Sequence, residues 1–441
     1  MSFSERGVDV AMGGRKRPGW ANRLSSVPRL LIVVLAIGAG AASSSHLIGG
    51  AAGTNGRPGA ALAPRAALAR LFTARQLQAG WFSPTFLAQA SIAHLTRIVD
   101  GLKSGLGAYT RIDGPFADGH DRVDFFLGSV DARIDLDRAG RIQALLFTNI
   151  VVRYVSRSDA LDALGRLPGK VSLVVESGGA TLASIAPDKA LAVSAAFKLA
   201  VLDALRGQVA QGRLAWDHQV VLRQADKSLP PSGLGSAPAG SRYSVAALAR
   251  AMIADDDNTA TDMLIRLMGR DAVAPFLPPA DRPLLTTHDL YVLKDPARRS
   301  LRARWLAAAP AARAALVDEA DRAALPSFST LEKAYAKGSV APGVEWFLSA
   351  RQLCGLMDGV HDLTQTQVNH GAAAAQDWRS VSYEGGAETG VVSLTTWVVG
   401  PDGASYCVAA IWNHSAALDD ARIESLYASL LHSYARLHGG G

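Results

Sequence analysis

The chain of 441 residues contains only two cysteines, Cys354 and Cys407. This number is too small for a disulfide-rich scaffold or for a metal site built from cysteine thiolates. Both cysteines stand among apolar residues. That setting favours free thiols buried in a core, because cysteine behaves as a small hydrophobic side chain. A single disulfide is the alternative if the chain reaches an oxidising compartment.

The net charge outside the N-terminus is also small. The formal net charge is +6, and residues 1–29 hold six cationic and two acidic side chains, so the other 412 residues carry only +2. This balance lacks the basic surface of a nucleic-acid-binding domain, and we expect no nucleic-acid partner. The ten histidines show no H-x-x-x-H or similar spacing. The sequence therefore predicts neither a metal site nor a cofactor.

The N-terminus carries an apolar run. Residues 30–42 read LLIVVLAIGAGAA, which follows several arginines and precedes small residues. This order is typical of a signal peptide, and Ala-Gly-Ala at 39–41 would suit a signal peptidase. Continued to residue 52, the run of about 23 residues is long enough to span a bilayer as an uncleaved anchor. We expect residues 1–52 to be a signal peptide or a membrane anchor, and the folded part to be extracytoplasmic.

Composition and patterning divide the next part of the chain into a linker and a small folded unit. Residues 53–65 are rich in Gly, Pro and Ala and predict a linker. Residues 66–155 combine a helix predicted over 85–104 with three alternating strands, the last two joined by a turn at 137–140. We expect an α+β cone with a structural or docking role.

A second unit is predicted over residues 158–441. It begins with a helix and a hairpin, continues through several helices, and ends with three strands and a helix. Strands at both ends with helices between them predict one antiparallel sheet. The first and last helices are expected on one face of it and the central helices on the other. Thr286 and Asp289 are predicted to cap a helix that runs to Leu293.

Three segments of this unit resemble the active-site segments of class A β-lactamases and related penicillin-recognising serine hydrolases. They are residues 191–205 (LAVSAAFKLAVLDAL), 251–265 (AMIADDDNTATDMLI) and 382–399 (SYEGGAETGVVSLTTWVV). Those families carry S-x-x-K, S-D-N and K-T/S-G there. Intervening stretches resemble a two-domain subgroup that includes a serine hydrolase of clavulanic acid biosynthesis. The resemblance implies an α+β fold: a β-lactamase/transpeptidase-like antiparallel sheet flanked by helices, preceded by an NTF2-like cone.

The first of these segments lacks its nucleophile. Three residues along a helix make nearly one turn, so a lysine amine there can take the proton of the serine hydroxyl. Lys198 is present, but the residue three places before it is Ala195. Ser194 lies one place earlier, where the resembling proteins usually have glycine. We expect Ser194 to cap the helix, because a shift of one residue turns its oxygen by about 100° around the helix axis.

The other two segments lose reactive groups as well. Asp256 replaces the serine of S-D-N, while Asn258 keeps the amide that holds substrate and lysine in the family. Glu384 replaces the lysine of K-T/S-G and inverts the charge near the substrate carboxylate. The resemblance assigns backbone positions to the oxyanion and the substrate, namely the N–H groups of Ala195 and Ala387 and the glycines Gly385 and Gly386.

Lys198, Asp256 and Glu384 are expected to neutralise one another as a buried charge cluster, because an isolated buried cation is costly. The alternative is an acidic pocket for a cationic ligand or a metal ion. Either arrangement replaces the groups that perform acyl transfer in the family.

These substitutions predict an exported β-lactamase-fold protein that acts by binding. Removing the nucleophile alone costs a serine hydrolase roughly 10⁶ in turnover. We expect the ligand to be a small carbonyl compound or a peptide-like fragment of the cell envelope, held between the loop at 228–241 and the strand at 391–399. The alternatives are an active β-lactamase or esterase that uses Ser194 or an acid pair, and an activity that resides in residues 66–155.

Overall fold

A computed structural model describes residues 63–437 except 75, 232 and 337. The predicted signal peptide or anchor at 1–52 and most of the predicted linker lie outside the described residues. Within the described part, no helix has both the length and the apolar character needed to cross a membrane.

The front unit (residues 63–155) packs helices against one face of a four-stranded antiparallel sheet with the order β1-β2-β3-β4. Leu68, Phe86 and Val123 are among the buried side chains between the two layers. Its elements are α1 Pro64–Thr73, α2 Pro84–Gln89, α3 Ile92–Leu106, β1 Tyr109–Asp113, β2 Asp121–Phe125, β3 Gly128–Leu136 and β4 Ile142–Val152.

Two helical boundaries in this unit differ from the prediction. The end of the predicted linker already belongs to α1, because Pro64 occupies the first helical turn, where its missing N–H is not needed. The single helix predicted over 85–104 is divided into α2 and α3. Ser91 separates them, since its hydroxyl accepts a hydrogen bond from the His94 N–H at 3.3 Å and starts a new helix.

The predicted hairpin between β3 and β4 is confirmed. One carboxylate oxygen of Asp137 accepts hydrogen bonds from the N–H groups of Ala139 and Arg141, both at 2.9 Å, and closes the turn. Strand β1 was not predicted. It is an edge strand with little burial, so its sequence lacks the apolar alternation by which strands are found.

The rear unit (residues 156–437) contains the remaining elements. Its helices are α4 Arg157–Gly165, α5 Lys198–Ala210, α6 Val245–Ala254, α7 Asn258–Met268, α8 Arg270–Val273, α9 Thr287–Lys294, α10 Arg299–Ala307, α11 Pro310–Asp321, α12 Phe328–Tyr335, α13 Ala350–Asp358 and α14 Asp420–Ala435. Its strands are β5 Lys170–Ser177, β6 Ala180–Ile185, β7 Leu191–Ala192, β8 Gln219–Val221, β9 Arg242–Ser244, β10 Phe347–Leu348, β11 Ser380–Glu388, β12 Val391–Val399 and β13 Ser405–Asn413.

A five-stranded antiparallel sheet with the order β11-β12-β13-β5-β6 organises this unit. Strands from the beginning and the end of the unit's sequence meet inside the sheet, where β13 pairs with β5 and Val408 lies opposite Val175. Helices α4 and α14 cover one face through Leu164 and Tyr427. The central helices, α5 among them, cover the other face. The predicted fold class is therefore confirmed.

The cysteines form a disulfide between α13 and β13, so the expectation of free thiols is wrong. Cys354 and Cys407 are 53 residues apart in sequence, and the fold brings their Cα atoms within 5.8 Å. Each is 2 % exposed. Apolar neighbours in the sequence fit a buried disulfide as well as a buried thiol, and only the packing of α13 on the sheet distinguishes the two.

The predicted cap of α9 is confirmed and fixes the N-terminal start of this helix. The Asp289 N–H donates to the Thr286 hydroxyl at 3.2 Å, and the Thr286 N–H donates to the Asp289 carboxylate at 2.8 Å. The helix runs to Lys294 and places that side chain, fully buried, near the motif segments.

Candidate active-site cleft

The start of α5 positions the first motif. Residues 194–197 form a 3₁₀ turn that leads directly into α5, so Lys198 is the first α-helical residue and Ala195 lies one turn before it. The Lys198 side chain is fully buried and forms an ion pair with Asp256. Asp256 precedes α7 in a left-handed conformation with φ of +53°. Such strain in a residue other than glycine is typical of functional sites.

Ser194 does not cap the helix, so the predicted capping role is wrong. Val193 occupies the cap position, and no side chain caps this turn. Ser194 has φ of +49°, whereas a capping residue needs an extended backbone. The Lys198 amine donates to Asp256, and no described group forms a hydrogen bond with the Ser194 hydroxyl.

The second motif helps to form the candidate cleft, hereafter the cleft, which is bounded by the 194–197 turn, the start of α7, the 228–241 loop and β11. The carboxylate of Asp257 caps α7 by accepting a hydrogen bond from the Ala260 N–H at 2.8 Å, and it accepts another from the Leu234 N–H at 2.8 Å. The side-chain amide of Asn258 donates to the Leu229 carbonyl at 2.7 Å and to the Tyr291 hydroxyl at 3.2 Å. These bonds fasten the 228–241 loop to α7 and α9.

Glu384 lies on β11 and is 3 % exposed. Burial raises the pKa of its carboxyl well above the ordinary value, the Asp256 charge raises it further, and the Lys198 charge opposes both. The neutral acid is therefore favoured at Glu384, while Lys198 and Asp256 compensate each other. The expected mutual neutralisation therefore holds for Lys198 and Asp256, whereas Glu384 lies near them without forming an ion pair with either among the described residues.

Strand β11 touches the 3₁₀ turn at Gly386. A Cβ added there would overlap the backbone nitrogen of Ala195 and the carbonyl oxygen of Val193. The backbone of Ala195 thus lies against the residue that precedes Ala387, which keeps the two predicted oxyanion donors on neighbouring segments. Gly385 is packed against the Tyr383 hydroxyl, where a Cβ would not fit. The roles of these positions in binding stay predictions.

The edge strand beside the 194–197 turn is β11, and the predicted wall at Val391–Val399 is the next strand inward, so the contact of that strand with a ligand stays a prediction. Strand β12 is paired with β11 on one side and β13 on the other, and it therefore lies inside the sheet. The strand Ser380–Glu388 is the edge. Strand β11 contains the third motif and β12 follows it directly. The sequence therefore did not show which of the two strands is the edge.

A second buried charge cluster, which sequence reasoning missed, lies beside the first. Lys294 forms ion pairs with Glu345 and with Glu388, the latter at 2.7 Å, and the Tyr335 hydroxyl donates to Glu388 at 2.9 Å. These four residues, hereafter the Lys294 cluster, belong to α9, the segment before β10, the end of β11 and the end of α12. No local spacing links them. Tyr291 connects the cluster to the Asn258 amide.

The pKa of the Glu345 carboxyl group is raised in this cluster. Burial raises the pKa of its carboxyl to about 8, the neighbouring Glu388 raises it as well, and Lys294 opposes the shift. One of its oxygens has no hydrogen-bond partner among the described groups. Across the described residues, no three or more His, Cys, Asp and Glu side chains are arranged to hold a metal ion.

We expect Glu345 to make the protein less stable at pH 8.5 than at pH 6.5. Its folded pKa of about 8 lies above the ordinary 4.5, so the stabilisation from its proton is present at low pH and is lost as the pH rises through 8. The loss between the two pH values is about 2 kcal/mol of unfolding free energy. Urea denaturation at both pH values measures it.

Glu345→Gln is the matched variant, because glutamine keeps the shape and cannot ionise. From pH 6.5 to pH 8.5, the variant should lose about 2 kcal/mol less unfolding free energy than the wild type loses. Asp281, whose pKa burial raises to about 7, contributes equally to both proteins. Identical pH dependence in wild type and variant would contradict the assignment.

Comparison with known proteins adds a family match to this geometry. Residues 157–279, which hold Ala195, Lys198 and Asp256, match the model of the β-lactamase enzyme family. The rear unit has a β-lactamase-like fold. The match supports the broad serine hydrolase family of the resemblance, and it ends before β11.

Solved structures with the same type of fold are only distantly similar. PBP-A shows 16% identity, with 64% of this chain and 95% of that chain covered and a TM-score of 0.42. A β-lactamase from Sphaerobacter thermophilus shows 20% identity, with 63% and 97% covered and a TM-score of 0.43. No curated protein matches the chain.

Proposed function

We propose that this chain is an exported homologue of the penicillin-recognising serine hydrolases that binds a ligand in its cleft without forming an acyl-enzyme. The observation that carries the proposal is Ala195, which stands one turn before Lys198, where the family has its nucleophile. A methyl group cannot form an ester with a carbonyl substrate.

The groups that would assist a nucleophile are occupied as well. A lysine that activates a hydroxyl must interact with it, whereas the Lys198 amine is paired with Asp256. Burial favours the neutral acid at Glu384, so β11 offers no positive charge to a substrate carboxylate. Three independent changes at one cleft support the loss of acyl transfer.

The cleft suits a small carbonyl compound or a peptide-like fragment of the cell envelope. Backbone N–H groups of Ala195 and Ala387 are the groups that would hold a carbonyl oxygen. Strand β11 is the edge of its sheet, and an extended peptide can add to such an edge through backbone hydrogen bonds. The loop at 228–241, fastened to α7 by Asp257, would form the opposite wall.

Export and the two-domain subgroup belong to this proposal. The apolar run at 30–42 supports export, and the Cys354–Cys407 disulfide supports an oxidising compartment. Membrane contact through the N-terminal segment is part of the same proposal. The helices packed on a four-stranded antiparallel sheet in the front unit support the NTF2-like assignment.

One observation favours the alternative of an active hydrolase that uses an acid pair. Glu345, whose pKa burial raises to about 8, and Glu388 both pair with Lys294, and the Glu388 side chain is 12 % exposed. Two neighbouring carboxyl groups, one of them with a raised pKa, are common partners in acid–base catalysis.

Turnover of a chromogenic cephalosporin and of p-nitrophenyl acetate distinguishes the two functions. The full-length protein is expected to give no rate above the buffer. Three variants are measured beside it: Lys198→Ala, Glu388→Gln and, as a control at an exposed lysine, Lys333→Ala. A rate that Lys198→Ala abolishes and Lys333→Ala preserves would refute the binding proposal, and a rate that only Glu388→Gln abolishes would establish the acid pair.

Calorimetric titration tests the ligand class. N-acetyl-D-alanyl-D-alaninamide, a neutral peptide, is expected to bind reversibly, and more tightly than the corresponding free acid, because β11 lacks the family's cation. Failure of both peptides to bind would remove the peptide-like ligand from the proposal.

A further inference from the structure

A groove of about 850 Å³ lies at the junction of the front and rear units. Its walls come from the end of β4, the connecting segment 153–156, the start of α4 and the last turns of α14. It is on the sheet face that α4 and α14 cover, whereas the cleft lies among the central helices on the other face. Small-molecule sites have volumes of roughly 300–1,000 Å³, so the groove has the size of a ligand site.

The groove is lined by cationic side chains and has no acidic residue among the described residues that line it. Arg157 is held in a fixed orientation. Its Nε and Nη2 donate to the hydroxyl and the carbonyl of Ser433, both at 3.2 Å, and its guanidinium lies 4.2 Å from the ring centre of Tyr434. These bonds use two of its five N–H donors and leave the others for a ligand.

His432 and Arg436 line the groove together with Arg157. The His432 ring stacks on Tyr154 with 4.0 Å between ring centres, and the carboxylate of Asp377 behind it lies 3.0 Å from its Nδ1. Asp377 thereby fixes the ring, and Nε2 has no partner among the described residues. Arg436 is exposed, and in the described part of the chain no group pairs with it.

Apolar side chains line the groove as well. Val152 and Tyr154 line the groove and are 39 % and 36 % exposed. A ligand that fills the groove would therefore meet both a fixed cationic group and apolar surface.

We propose that this groove binds an organic phosphate. Its phosphate would pair with Arg157 and Arg436, because a guanidinium forms two parallel hydrogen bonds with phosphate oxygens, and its apolar part would pack on Val152 and Tyr154. The same chemistry is found in an anionic lipid headgroup with its acyl chain and in a soluble aryl phosphate. This site is separate from the proposed function of the cleft.

Calorimetric titration of the full chain tests the site and its source of phosphate. The probes are phenyl phosphate, dihexanoyl phosphatidylglycerol below its micelle concentration, and dihexanoyl phosphatidylcholine as a headgroup without net charge. We expect an anionic probe to bind and the phosphatidylcholine to bind at least tenfold more weakly. Arg436→Gln should weaken binding about tenfold, since it removes one charge-assisted hydrogen bond. Arg322→Gln, an exposed arginine outside the groove, should not change it.

Each outcome decides one point. Binding of phenyl phosphate supports a soluble ligand, and binding of phosphatidylglycerol alone supports a lipid. Arg157→Lys keeps the charge but loses the two-pronged geometry, and it should weaken binding in a protein whose melting temperature confirms folding. Absence of binding by both anionic probes, or equal affinity in wild type and Arg436→Gln, would overturn the proposal.

Discussion

The triple variant Ala195→Ser/Asp256→Ser/Glu384→Lys is expected to become acylated by penicillin at least about 10³-fold faster than the wild-type chain. Loss of a serine nucleophile costs roughly 10⁶ in turnover, so its return has a large effect where the frame is intact. The frame is present, because the turn at 194–197 still places residue 195 one helical turn before Lys198 and against β11. Stopped-flow binding of a fluorescent penicillin measures the rate.

Ala195→Ser alone is expected to gain little, and this comparison separates the nucleophile from its surroundings. In the single variant Lys198 still donates to Asp256, and Glu384 still replaces the cation of β11. Adding Lys198→Ala to the triple variant should remove the gain. If the single variant were acylated as fast as the triple variant, the two acidic substitutions would have no part in the loss of activity.

Removal of the disulfide by Cys354→Ala/Cys407→Ala is expected to lower the unfolding free energy by about 4 kcal/mol. The bond closes a loop between positions 53 residues apart, and chain entropy assigns a loop of this length about that much stabilisation. The bond also lies in the core, where each half-cystine is 2 % exposed. Urea denaturation of oxidised wild type and double variant gives the difference.

Reduced wild type is the matched control, because it keeps both sulfur atoms and lacks only the bond. It should lose most of the same free energy, and the remainder reports the cavity left by the alanines. A loss below 1 kcal/mol in both proteins would show that the bridge does not constrain the unfolded chain.

The sheet and the motif positions were predictable because their signals are local. Strand alternation and the Thr286–Asp289 cap lie within single elements. The S-x-x-K spacing is likewise a property of one helical turn, which the structure shows between Ala195 and Lys198. A pattern that is complete within one element can be recognised without knowledge of the tertiary fold.

Features that depend on tertiary packing could not be predicted. The Lys294 cluster joins four chain segments, so no spacing in the sequence connects Lys294 with Glu345 or Glu388. The disulfide depends on α13 resting on β13. Ser194 fails to cap α5 because its backbone takes the left-handed conformation, which no local sequence pattern indicated.

Intact-protein mass spectrometry after incubation with benzylpenicillin tests the central claim most directly. The unaltered mass of the wild-type chain is the expected result, because Ala195 offers no oxygen for an ester and no described group forms a hydrogen bond with the Ser194 hydroxyl. A mass increase of one penicilloyl group, located by peptide mapping at Ser194 or at any other side chain of the cleft, would contradict it.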